Sequence, residues 1–259
     1  MSQVIEFTSA GASRPSEREW VPEAPVALEF NGLSYAVMMA SPQHLDDFAL
    51  GFAMTEGLAA AVSEVSGLQV AEVELGWIVR AQLSGVGVEQ LTERVRARVA
   101  ESSCGLCGIE NLEAVAKPLP PVVKHQRIAP EAIFSALQQL HNHQPLGQVT
   151  GAAHAAAFAD TGGRIVCTRE DVGRHNALDK LIGALAGKGL KPRGGFILST
   201  ARCSYEIVEK AVRSGATTLV TISLPTSLAV ERARAAGLSL WSLARSDSVL
   251  LVNDGGSCP

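Results

Sequence analysis

From Arg164 to Leu243 the chain alternates, at short and regular intervals, between apolar runs and amphipathic segments. Few folds accommodate that rhythm. Arg164–Thr168 reads as strand and Val172–Leu185 as helix, with Leu178, Leu181, Ile182 and Leu185 inward. Gly195–Thr200 follows as strand, and Tyr205–Arg213 as a helix burying Ile207, Val208, Ala211 and Val212. Thr217–Ser223 (strand), Thr226–Ala236 (helix) and Leu238–Leu243 (strand) complete the series. Strands separated by helices of this length predict an α/β domain, a mainly parallel sheet covered by helices.

Open α/β sheets bind ligands at the C-terminal ends of their strands, and the polar residues gather there. The densest segment, Arg169 to Lys180, spans a strand-to-helix junction and carries Arg169, Asp171, Arg174, His175 and Asn176. A helix start offers unpaired N–H groups and positive potential to phosphate, and arginines add bidentate donors. Arg202 and Ser204 mark a second such junction, and Ser223 to Ser227 a third. Asp171 also reads as a plain cap, and Glu170 or Asp179 as partners of the arginines. His154, among small residues, reads more readily as structural than as catalytic.

Upstream the rhythm differs. Residues 1–24 mix Ser, Arg, Glu, Gly and Pro and read as a flexible leader. Val26–Phe30 and Tyr35–Met39 flank Asn31-Gly32, a hairpin signal. Ser41-Pro42 opens a predicted helix with Ser41 as its cap, and Asp46 and Asp47 read as solvated first-turn charge. Val70–Leu83 reads as one strand, and residues 91–99 fit helix and strand alike. Lys117-Pro118-Leu119-Pro120-Pro121 is the clearest linker, so an N-terminal domain is expected over 25–116 and the α/β domain over 117–259. Pro130–Gln139 is a predicted helix, followed by His141 and His143 as solvated cap residues.

The N-terminal unit ends in Ser103-Cys104-Gly105-Leu106-Cys107-Gly108, just after Arg94, Arg96 and Arg98. Glycine after each cysteine leaves both thiols little covered, and nearby cations favour thiolate chemistry. Half a structural zinc site or a pair of unremarkable thiols is the competing reading. With 22 Lys and Arg against 26 Asp and Glu, net charge −4, there is no global case for nucleic acid. No apolar run approaches a membrane span of about 18 residues. The first 22 residues lack a signal-peptide pattern. Five cysteines without a dense spacing framework do not suggest a disulfide scaffold, and a reducing cytoplasm is the expected compartment.

Together these stretches resemble the FdhD family of accessory sulfurtransferases for formate dehydrogenase. The resemblance is carried by the Cys104–Gly108 loop, Arg169 to Lys180, Ser204 to Ala211, Pro225 to Glu231, and the Leu50 to Leu58 helix, in order over roughly residues 25–245. It implies a cytidine-deaminase-like α/β C-terminal domain with a smaller mixed α+β N-terminal domain, and a homodimer. It also implies persulfide sulfur received from a cysteine desulfurase and passed to the bis(molybdopterin guanine dinucleotide) molybdenum cofactor. A molybdenum or tungsten formate dehydrogenase would be the recipient and GDP a mimic of the cofactor. By position Cys104 is the persulfide carrier and Cys107 its partner. Leu243, Ala244, Arg245, Ser246, Asp247 and Ser248 fall on a cofactor-contacting segment, where only Arg245 keeps the family's usual residue. No nucleic acid, membrane or protein-held metal is expected. The rivals are a zinc-dependent deaminase and a thiol scaffold that only binds metal. The deaminase needs a His-x-Glu pair and Pro-Cys-x-x-Cys; no histidine here is followed two residues later by Glu, and Ser103 precedes Cys104.

Overall fold

The computed structural model describes residues 2–101, 117–255 and 257–258. An N-terminal four-stranded sheet is built from β3 (Ala24–Phe30), β4 (Leu33–Ala40), β5 (Val65–Val73) and β6 (Gly76–Leu83), in the order β4-β3-β6-β5. One face is apolar: Val26, Leu28 and Phe30 alternate inward along β3 and meet Phe48 and Phe52 of α1 (Leu45–Thr55). The β3–β4 turn is the expected Asn-Gly hairpin, with φ of 52° at Asn31 and 80° at Gly32. Leu91 of α2 (Val88–Glu101) is fully buried in this core, so residues 91–99 are helical.

Three expectations fail in this half. Val70–Leu83 is two strands, β5 and β6, turning at Glu74-Leu75. Gly76 closes that turn at φ 142°, and a Cβ there would lie 2.3 Å from the Pro25 carbonyl oxygen. Ser41 is no cap. Helix α1 starts at Leu45 behind a left-handed His44 (φ 54°), and Ser41 is fully buried, facing the other half of the molecule. The leader is not loose: β1 (Ser2–Phe7) and β2 (Ser13–Arg18) form an antiparallel pair, fastened by an Arg14–Glu6 ion pair and a turn at Thr8–Ala12.

The second half holds β7 (His125–Gln126), α3 (Pro130–Leu140), α4 (Pro145–Thr150), β8 (His154–Asp160), β9 (Ile165–Asp171), α5 (Arg174–Gly187), β10 (Gly195–Ser199), α6 (Tyr205–Arg213), β11 (Thr218–Thr221), α7 (Ser227–Ala236), β12 (Ser239–Ser242), β13 (Leu250–Asn253) and β14 (Ser257–Cys258). Its main sheet runs β13-β12-β11-β10-β8-β9. Helices α5, α6 and α7 cover one face through Leu178, Leu181, Ile207, Val208, Ala229 and Ala233. On the other face, Ile133, Ala136 and Leu140 of α3 meet Phe196, Leu198, Val220 and Trp241.

The fold is α/β as expected, but the sheet is mixed. β8 pairs antiparallel with both β9 and β10, and β13 pairs antiparallel with β12. Strand β8 carries Ala155, Ala156, Ala157 and Ala159, all buried, and alanine has little intrinsic strand preference. Its pairing is imposed by burial on both faces. Because β8 opposes both neighbours, β9 runs parallel to β10, β11 and β12. Their C-terminal ends therefore share one edge.

The halves meet where α1 crosses α5, backbone against backbone. A Cβ on Gly51 would sit 1.7 Å from the Asp179 carbonyl oxygen, and one on Gly183 would sit 1.9 Å from that of Asp47. Two buried charge clusters flank this crossing. Asp171 pairs with Lys180 at 2.5 Å and accepts from the Ser41 N–H, while the Lys180 ammonium donates to the Ser41 carbonyl. The Lys210 ammonium donates to Asp179, Glu56 and Thr55 at 2.8–3.0 Å. Among the described residues, no helix is long and apolar enough to cross a membrane.

Candidate functional site: a polar sheet edge

The shared C-terminal edge gathers the starts of α5, α6 and α7. Helix α5 begins after Gly173 and α6 after Ser204, and neither has a side-chain cap. Helix α7, by contrast, is closed by Thr226, whose Oγ1 accepts from the Ala229 N–H at 3.2 Å. Uncapped helix starts leave N–H donors and positive potential facing outward, so α5 and α6 are the ends open to an anion.

Around those two ends lie Arg174, His175, Arg202, Ser204 and Glu206, with His154 at the start of β8. His154 registers opposite Asp171 across the β8–β9 ladder. The next residue, Ala155, is bonded to Thr200 through both its N–H and its carbonyl, which ties β8 to the loop carrying Arg202. His175 Nε2 lies 3.0 Å from a Glu206 carboxylate oxygen. That contact holds the Glu206 carboxyl below its usual range. Burial and then the Arg174 guanidinium push the His154 imidazole below its ordinary value; Asp171 opposes, and His175 and Arg202 add to the fall. Arg174 Nε and Ser204 Oγ are buried without a hydrogen-bond partner. Burying such donors unpaired costs about 1–3 kcal/mol each, which a ligand at the edge would offset.

The residues singled out in the sequence divide into four groups. Arg174, His175, Arg202 and Ser204 do come together at this edge. Arg169, Asp171 and Asn176 do not present themselves to it. Arg169 is held by Asp47 at 2.7 Å and by the Thr168 carbonyl. Asp171 is fully buried and accepts from Ser41, Gly173 and Asn176 besides pairing with Lys180. Asn176 also donates to the Met39 carbonyl. Asp47 is thus an ion-pair partner rather than solvated charge. Glu170 accepts from the N–H groups of Leu146 and Gly147, not from an arginine.

The segment after β12 reaches the same edge, farther along it. Leu243 has φ 51°, Ala244 is buried, and Arg245, Ser246, Asp247 and Ser248 are exposed in a turn closed by Arg245 N–H donating to the Ser248 carbonyl at 2.8 Å. Three strand spacings separate β8 from β12, roughly 14 Å, so only an extended ligand touches both ends.

Cys104 and Cys107 lie outside the described residues. The arm that leads to them is anchored: Arg94 donates to the carbonyls of Glu56 and Gly57 at the end of α1. Of the other cysteines, Cys167 and Cys203 are free and buried. Burial pushes the Cys203 thiol up to about 12. Among the described residues, no three His, Cys, Asp or Glu side chains converge as a metal site. His154, which the sequence reads more readily as structural, stands at this edge; nothing in the sequence marks β8 as a strand, and hence nothing marks His154 as lying beside the strand ends.

The FdhD/NarQ family model matches residues 21–255. The chain belongs to the FdhD/NarQ family. Among its relatives, the Sulfur carrier protein FdhD of Bordetella bronchiseptica is 43% identical over 224 residues, covering 86% of this chain and 81% of that protein. The Sulfur carrier protein FdhD of Chromobacterium violaceum is 45% identical over 242 residues, covering 91% and 88%. The fold is similar to that of a solved chain from Desulfotalea psychrophila, described as a candidate formate dehydrogenase accessory protein. Its TM-score is 0.73 at 20% identity, over 98% of this chain and 96% of that one. Within the FdhD/NarQ family match fall both the cysteine pair and the whole polar edge.

Proposed function

We propose that this protein is a cytoplasmic, homodimeric sulfurtransferase that serves a molybdenum or tungsten formate dehydrogenase. Its Cys104 thiolate takes a sulfane sulfur from the persulfide of a cysteine desulfurase. In that step a new S–S bond forms at Cys104 and the donor's S–S bond breaks. Cys104 leaves as Cys–S–SH and the desulfurase cysteine as thiolate. Cys107, three residues on in the sequence, releases or shuttles that sulfur. The acceptor is the bis(molybdopterin guanine dinucleotide) cofactor, bound as substrate. Its phosphates lie at the starts of α5 and α6, against Arg174, His175, Arg202 and Ser204, and its far end reaches the Arg245–Ser248 turn.

The observation that carries this reading is the pair of buried, unpartnered donors, Arg174 Nε and Ser204 Oγ, beside two uncapped helix ends. A second support is that Cys167 and Cys203 are buried, which disfavours both as sulfur carriers. Incubation with desulfurase and cysteine, followed by intact-mass analysis, is expected to add about 32 Da. The adduct should vanish in Cys104→Ala and persist in Cys203→Ser. Formate dehydrogenase matured fully by Cys104→Ala would overturn the mechanism. GDP, as the cofactor's mimic, should bind the wild-type protein in calorimetry. Arg174→Gln should weaken it by about 1.5–3 kcal/mol, the worth of a hydrogen bond to a charged group.

A further inference from the structure

The backbone of His154 belongs to the β8–β9 ladder, but its side chain does not help to hold the polar edge together. Its side chain is half-buried and has no hydrogen-bond partner among the described residues, whereas Asp171, Asn176 and Lys180 nearby are fully committed. His154 opens β8 opposite Asp171 at the end of β9, and the next residue, Ala155, is tied to Thr200 in the loop that carries Arg202; the charges of Arg174 and His175 at the start of α5, and of Arg202, act on its ring. Asp171 is the one carboxylate among these, and its charge is already engaged by Lys180 at 2.5 Å. An unbonded imidazole set among guanidinium groups contributes nothing to the free protein. It becomes useful when an anion arrives.

We propose that His154 is the proton-accepting group of this anion site: a phosphate-bearing ligand seats beside it and the imidazole becomes imidazolium, taking one proton from solvent. The proposal rests on the reading of the edge as a nucleotide site. No bond forms or breaks besides the new N–H on the ring. In the free protein, burial and the Arg174 guanidinium keep His154 neutral at neutral pH. A phosphate lying between Arg174 and Arg202 cancels their repulsion and supplies an opposite charge at contact range, which favours the charged ring. His175 already has a carboxylate oxygen at 3.0 Å, so an arriving anion alters its surroundings less. Binding and protonation are then linked, and affinity for the anion rises as pH falls until His154 is charged even without ligand.

The test is calorimetric titration of the full-length protein with GDP in buffers of different ionisation enthalpy, repeated from about pH 8 to about pH 6. The wild type is expected to take up up to about one proton more per GDP than His154→Gln. Its affinity should gain up to about tenfold per pH unit more than that of the variant. His141→Gln, at an exposed histidine outside the edge, should keep the wild-type uptake. The ligand's own phosphate titration is common to all three proteins and cancels in the comparison. Should His154→Gln misfold, the His154 C2–H resonance of the wild type gives the same information, and its titration should move to higher pH on adding GDP. GDP binding with equal proton uptake in wild type and His154→Gln, or a resonance unmoved by GDP, overturns this proposal alone. Absence of GDP binding by the wild type overturns the nucleotide-site reading and this proposal with it.

Discussion

Single side chains set how this protein responds to acid. His44 and His154 both sit below the ordinary histidine value, chiefly through burial, with Arg169 beside the first and Arg174 beside the second. A histidine whose folded value is depressed takes up its proton first in the unfolded chain, so folding is penalised as pH drops below about 6.5, the unfolded value. Chemical denaturation between about pH 7 and pH 5 should therefore show stability falling with pH, and the His44→Gln/His154→Gln double variant should show a shallower fall. Lys210 offers a sharper residue-level test. Burial alone would lower its ammonium, yet Asp179 and Glu56 hold it above the usual lysine value. Lys210→Met leaves Asp179 buried without its cation and should cost about 3–5 kcal/mol; a Lys210→Met/Asp179→Leu pair should recover much of that. Equal denaturation midpoints for the single and double variants would contradict the pairing. These partnerships were invisible in the sequence because their members lie on different elements far along the chain, 31 positions apart for Asp179 and Lys210 and 124 apart for Thr55 and Asp179.

At the scale of elements, the α1–α5 crossing is the most demanding contact. Gly51 and Gly183 each face a carbonyl oxygen closer than any Cβ tolerates. Gly183→Ala should force the two helices apart and cost at least about 1–3 kcal/mol, read as a drop in denaturation midpoint with an unchanged slope. Elements were legible where hydrophobic period and punctuation agree. Helix α6 spans Tyr205–Arg213 as expected, with Ile207, Val208, Ala211 and Val212 inward. They were illegible where tertiary burial overrides local preference. The alanine-rich run of β8, interrupted by Phe158, carries little strand signal, and its place between β9 and β10 makes it a strand. Ser41 looked like a cap because Ser-Pro is a common helix opening, yet its polar atoms are used by Asp171, Lys180 and Val172 instead.

Across the whole molecule, the polar edge was half legible. The junction residues Arg174, His175, Arg202 and Ser204 were found because strand-to-helix turns of an α/β sheet share one side, a consequence of topology alone. Asp171 and Asn176 were misplaced among them, since only the contact with β4 and Ser41 reveals that they face inward. Binding at an edge this rich in cations should weaken with salt: GDP affinity is expected to fall between about 0.05 and 0.5 M NaCl, while a titration insensitive to salt would argue against phosphate contacts. The position of Ser41 carries a last consequence. Its backbone and hydroxyl complete the turn from which Arg174 and His175 project, so the proposed ligand site is not the property of the α/β half. Excised at residue 117 and grafted onto another protein, that half would carry every residue of the edge and still lack the strut that aims them. Such a site has to be inherited whole.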